Sequence, residues 1–180
     1  YSAVVQEVIH GEEGRIFYID GVPKFSYRKA RPTLVGDGSR TISQLLTEYD
    51  HILLRRGLPP LHRGDRVLKG ALNRADLTHA SVLAKGIEIA CSEKANASYG
   101  GSVYDFSTDF TAEEKTLCTS VFQSTGLRVC ALDYMYRGSD EQDPVIIELN
   151  SNPALTTLES LNQTALLMEI WEIVITAGLA

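Results

Sequence analysis

The sequence is poor in residues that build cross-links and soft-metal sites. Its 180 residues hold three cysteines, Cys91, Cys118 and Cys130, which lie far apart and form no CxxC pair. That argues against a disulfide framework and against a thiolate zinc site. The four histidines, His10, His51, His62 and His79, are equally dispersed, with no HExxH among them. No apolar run approaches the ~20 residues that a membrane-spanning helix needs, and the first residues show no signal-peptide pattern. Basic charge is not in excess either: 17 Lys and Arg against 23 Asp and Glu leave a net charge of -6, without the broad cationic surface that duplex binding demands. The expectation is a protein of a reducing, cytoplasmic setting with neither nucleic acid nor membrane as partner.

Several catalytic motifs are missing as well. Gly36-Asp37-Gly38 is not followed by GK[ST] and is no P-loop. An EF-hand counted from Asp133 would need a glutamate where Pro144 stands. No nucleophile elbow and no Cys–His pairing asks for covalent catalysis. With 44% hydrophobic and 22% charged residues, the chain can still bury one substantial core, or two lobes sharing it.

The order of elements predicts an α+β domain with an antiparallel sheet and flanking helices. Ser2 to Ile9 reads as a strand. RIFYID and VPKFSY flank Asp20-Gly21, a strong hairpin signal because both central residues of a type I′ turn need positive φ. Thr41 and Gln44 stand in capping-box spacing before a helix that ends near Gly57, and Thr111 and Glu114 repeat the device before a helix that stops at Gly126. Pro59 to about Ala90 has no clean period, although LTHASVLAKG could hold a short helix. LRVCALDYMY and PVIIEL are strands about the polar loop RGSDEQD, and the chain closes on a long apolar helix around Trp171. No internal repeat or low-complexity segment is present.

The chemistry concentrates in the last hairpin. Period two puts Glu148 and Asn150 on one face of their strand, and pairing across the loop can set Asp133 opposite them. Three oxygen ligands then converge, a set that suits magnesium, and Glu148 after the apolar VII is expected to end a buried strand, where an acid needs a partner or an ion. The alternative for the same spacing is a solvated hairpin in which Glu148 pairs with an arginine and Asn150 caps a turn.

Taken in order, VVQEVIHGEEGRIFYIDG, RPTLVGDGSRTISQLL, KANASYGG, and LDYMY with VIIELNSNPAL resemble successive parts of the ATP-grasp ligases. The resemblance is to the branch holding glutathione synthetases, cyanophycin synthetase and N-acetylglutaminylglutamine synthetase, and it covers nearly the whole chain. It implies a partial ATP-grasp fold with adenine-hinge strands in 1–35, a helical insertion in 36–90, and an acyl-phosphate loop with the magnesium hairpin in 91–180. By the same resemblance Gln6, Glu7, Val8 and Ile9 line the adenine pocket and Glu13 holds the ribose. Arg15, with Lys29 or Arg31, supplies cations to the phosphates, although a plain surface role stays open for each. KANASYGG looks like RxNxxxGG with Lys94 in place of arginine, which gives a point charge without a planar fork. Asn96 then donates to phosphoryl oxygens or fixes the loop, the alternative being a surface turn.

Two departures stand out. Ala131 occupies the place where D-alanine:D-alanine ligases carry a substrate arginine, and Ala154 replaces the usual glycine after Pro153. The implied activity is an ATP-dependent carboxylate–amine ligase forming an amide or peptide bond through an acyl phosphate, on an amino acid or small peptide. Its cofactors are ATP and Mg2+, with Mn2+ as a substitute, and Asp133, Glu148 and Asn150 are the metal ligands. The other function left open is a nucleotide-binding or regulatory fragment without turnover. Because the chain starts at Tyr1, inside an expected strand, the expectation is a piece of a larger protein. Its lid precedes Tyr1, its partners include the rest of the parent chain together with the acid and amine, and self-association is left open.

Overall fold

A computed structural model of the chain describes residues 3, 5, 7–9, 11–96, 99–136 and 144–178. Two compact units emerge, one of Tyr1–Arg28 with Val103–Ala180 and the other of Lys29–Ser102.

The first unit is built on a sheet. β1 (Glu13–Ile19) and β2 (Val22–Ala30) are joined by Asp20-Gly21, whose φ values of 49° and 77° are the positive pair the hairpin signal predicts. β5 (Ser102–Ser107), β6 (Val129–Tyr136) and β7 (Pro144–Asn150) complete the order β5-β2-β1-β6-β7 among the described residues. Alternation along β1 and β6 splits the side chains between two layers. Ile16, Tyr18, Cys130, Leu132, Tyr134 and Tyr136 pack against Cys118 and Val121 of α3 (Ala112–Thr125). Phe17, Ile19, Phe25, Tyr27 and Ala131 pack against Leu158 of α4 (Thr156–Ser160) and Ile170 and Val174 of α5 (Thr164–Thr176). Leu132 and Leu158 are fully buried, so cutting either to alanine removes about 2–5 kcal/mol.

α3 carries the expected capping box, Thr111 with Glu114, and ends on Gly126 in the left-handed conformation. The buried Glu114 also accepts a 3.0 Å hydrogen bond from the Tyr134 hydroxyl, which ties the start of α3 to β6.

The second unit has its own core of Leu34, Ile42, Leu45, Leu46, Leu53, Leu68, Leu72, Leu83 and Ile89. α1 (Ile42–Arg55) begins with the Thr41–Gln44 capping box and gives way to Gly57 at φ 71°, as expected. β3 (Thr33–Val35) pairs antiparallel with β4 (Glu88–Ala90), and α2 (Arg66–Arg74) starts from an Asp65 cap.

Four local expectations need correction. Residues 3, 5 and 7–9 form no strand, and Val5 and Val8 are 95% and 72% exposed, so little burial of their side chains drives them to extend. LTHASVLAKG holds no helix. The helix of that stretch is α2, earlier in the chain, where Leu68 and Leu72 face the core one turn apart. The closing helix is two pieces, α4 and α5, broken at Asn162 with φ 56°. Finally, Ile146, Ile147 and Glu148 are exposed on the edge strand β7, so Glu148 does not end a buried strand. Gln6 and the loop 137–143 lie outside the described residues.

Candidate functional site

Three neighbouring strands assemble the acidic site. β6 pairs with β1 so that Asp133 faces Arg15, and with β7 so that Asp133 also faces Glu148. The β6–β7 register shifts just past that point, between Asp133 and Tyr134, with Tyr134 opposite Ile146. Ile147 is therefore the extra residue of a bulge beside Glu148, a device that bends an edge strand and re-aims its side chains. Asn150 lies opposite Ala131. Directly opposed residues point to one side of a sheet, so Arg15, Asp133, Glu148 and Asn150 share a face, the one that carries α4 and α5.

Asp133 is 4% exposed, and a carboxylate buried to that extent needs a partner. Arg15 supplies one as a fork: Nε donates to Oδ1 at 2.5 Å and Nη2 to Oδ2 at 2.6 Å. Hydrogen bonding to Asp133 raises the guanidinium pKa well above its ordinary value, against the lowering effect of burial. Arg15 was expected to face phosphate; its partner here is the central metal-ligand candidate. The fork does not use up the carboxylate, which has about four lone-pair sites. Two carboxylates and one amide on a shared face are all hard oxygen donors, a set that fits magnesium. Among the described residues no group of three His, Cys, Asp or Glu side chains forms a metal cluster, so Asn150 is needed to complete this one.

The nucleotide candidates in the same unit are less gathered. Glu7 and Val8 are exposed, Ile9 is half-buried, and Glu13 opens β1 opposite Met135. Gln6 lies outside the described residues.

In the unit Lys29–Ser102, Lys29 is buried at the end of β2. Lys94 Nζ sits 3.8 Å above the Tyr99 ring, a cation–π contact that holds the ammonium over the loop. Asn96 fixes that loop through its backbone: its carbonyl accepts from the Tyr99 N–H at 2.9 Å and from the Gly101 N–H at 3.1 Å. Tyr49 adds a 2.7 Å hydrogen bond to the Gly100 carbonyl. At Gly101 a Cβ would come within 2.0 Å of the Ala95 carbonyl oxygen, so only glycine permits this approach. The Arg28 guanidinium, which motif matching passed over, lies 5.4 Å and 4.8 Å from the Tyr134 and Tyr136 ring centres. Its placement depends on long-range strand register and leaves no local pattern to read.

A central antiparallel sheet with helices on its faces and an acidic end hairpin define an α+β architecture, part of the ATP-grasp fold, as the resemblance implied. The chain is similar to a bifunctional glutathione synthetase from Pasteurella multocida, with a TM-score of 0.63 and 23% identity, covering 83% of this chain and 21% of that one. It is 29% identical over 168 residues to the glutathione biosynthesis bifunctional protein of Streptococcus agalactiae serotype V, and 28% identical over 166 residues to the cyanophycin synthetase of Trichormus variabilis. Those alignments cover 86% and 84% of this chain but only 22% and 18% of the relatives, so the chain spans about a fifth of their length. No protein-family model matches. Among the described residues no helix is long and apolar enough to cross a membrane.

Proposed function

We propose that the chain is the nucleotide- and magnesium-binding core of an ATP-dependent carboxylate–amine ligase, one that forms an amide or peptide bond on an amino acid or small peptide through an acyl phosphate. The observation that carries the proposal is the register of the end hairpin, which sets Asp133 against Glu148 with Asn150 two residues on. The similarity to glutathione and cyanophycin synthetases gives that cluster its chemical context.

In this reading Asp133, Glu148 and Asn150 hold magnesium, which when bound neutralises charge on the phosphates. Arg15 holds the buried Asp133 carboxylate in place through its fork. Lys29 and Lys94 add fixed positive charge, and Asn96 donates to the phosphoryl oxygens while its carbonyl braces the loop. Gln6 to Ile9 and Glu13 contact adenine and ribose. Segments 1–35, 36–90 and 91–180 serve as hinge, insertion, and loop with metal hairpin. Catalysis is then chiefly position and field, with no covalent nucleophile.

The test is a coupled assay of ADP release with ATP, magnesium and a panel of amino acids and short peptides, each with an amine acceptor. Release that depends on the acid is expected, together with a new amide product in the mass spectrum. ATP binding without acid-dependent release would remove the ligase assignment and leave nucleotide binding alone.

A further inference from the structure

Within the unit Lys29–Ser102 a cleft of about 530 Å³ is lined by Arg31, Arg66, Val67, Arg74 and Glu93. The local fold explains why these residues meet. Pairing of β3 with β4, extended by a 2.8 Å hydrogen bond from the Cys91 N–H to the Pro32 carbonyl, brings the chain before β3 beside the chain after β4. Arg31 and Glu93 lie on those two flanks. α2 is fastened to the same flank where Ser92 Oγ donates to Asp65 Oδ2 at 3.2 Å. Arg66, Gly70 and Arg74 follow at four-residue steps along one ridge of α2. A Cβ at Gly70 would lie 3.3 Å from Arg74 Nη1, so the bare glycine leaves room for that guanidinium to fold back along the helix.

Three guanidiniums and one carboxylate therefore line one concavity in a chain whose net charge is -6. None of Arg31, Arg66 and Arg74 has a side-chain hydrogen bond or ion pair among the described residues, whereas Arg15, Arg40, Arg63 and Arg128 are each paired with a carboxylate. Gathered like charges repel, and a concave wall focuses their field on whatever enters. Guanidinium forks match the paired oxygens of carboxylates and phosphates.

We propose that this cleft binds a compact oxyanion of charge about -2, a phosphate group or a small dicarboxylate, held by Arg31, Arg66 and Arg74. The site needs neither ATP nor magnesium, and its Arg66 and Arg74 stand apart from the ligase assignment, in which Arg31 is the alternative to Lys29 as a phosphate cation.

Calorimetric titration of the metal-free chain with inorganic phosphate and, separately, with succinate tests it, with acetate as the monoanion control. The expected result is saturable binding of at least one dianion, tighter than acetate and weakened as salt rises. Arg66→Ala with Arg74→Ala should weaken it at least tenfold, as should Arg31→Ala, with an unchanged thermal melt showing that the fold persists. The arms identify the source: phosphate alone means a phosphoryl group, succinate alone a dicarboxylate. No binding of either dianion, equal binding of acetate, or binding lost in Lys94→Ala but kept in the Arg66/Arg74 variant would overturn the proposal. The Arg66 and Arg74 variants should leave any ATP-dependent ADP release unchanged, so failure of this proposal and failure of the ligase assignment are read separately.

Discussion

Replacing Arg15 with methionine keeps most of the side-chain volume but removes the fork on Asp133. The carboxylate is 4% exposed and would lose that paired guanidinium, a change that costs about 3–5 kcal/mol for a fully buried pair. The Arg15 side chain is 23% exposed, so water shares some of the burden and the lower end, about 3 kcal/mol, is expected. For a chain of this size that lowers the thermal midpoint by roughly 6–12 °C in metal-free buffer. Magnesium should then recover part of the loss, because a cation at Asp133, Glu148 and Asn150 replaces the missing charge. At ten times its dissociation constant it returns about 1.4 kcal/mol, or roughly 3–6 °C. The melt is followed by circular dichroism with and without magnesium, beside Asp133→Asn, which should show no such recovery. An Arg15→Met midpoint within about 1 °C of the parent would refute the buried-pair argument.

Other outcomes follow from the same physics. Burial raises the Cys91 thiol to about 11 and the Cys118 thiol to about 12, and it raises Cys130 as well. Near neutral pH the Cys91 and Cys118 thiolate fractions are on the order of a ten-thousandth or less, and all three thiols are buried, so Ellman's reagent should label none of the three until denaturant is added. Gly101→Ala drives a Cβ toward the Ala95 carbonyl and should cost about 1–3 kcal/mol while lowering any ATP-dependent turnover, read by denaturant melt and ADP release. Hydrogen bonds from Arg128 hold Asp20 below its ordinary 3.8, so the pair stabilises above that pH and its contribution is lost as pH falls through the lowered value. Asp20→Asn should therefore lower the melting midpoint at neutral pH and leave it unchanged in strong acid, where the carboxyl is protonated in both states.

Local signals carried the elements that local chemistry determines. Both capping boxes, the Asp20-Gly21 turn and the Gly126 stop appear where the sequence places them, since each rests on a few adjacent residues. The short pieces were not legible: β3 and β4 have three residues each, and β5 places Asp105 at φ 51°, outside ordinary strand geometry. The signal for α2 was present, an Asp65 cap followed by Leu68 and Leu72, but a helix this short with two core leucines offers only one apolar repeat to read. At the site, Asp133 opposite Glu148 was foreseeable from period two. The Arg15 fork and the bulge at Ile147 depend on register between distant strands, which no spacing within one segment records.

The most direct measurement is a titration of ATP with magnesium into the parent chain and into Glu148→Gln. Glu148 is exposed on β7, so the change leaves the fold intact while removing one charged metal oxygen. A metal site at the end hairpin predicts at least tenfold weaker binding of the metal–nucleotide pair, with nucleotide affinity in EDTA unchanged. Equal affinity for the two proteins with magnesium would contradict it.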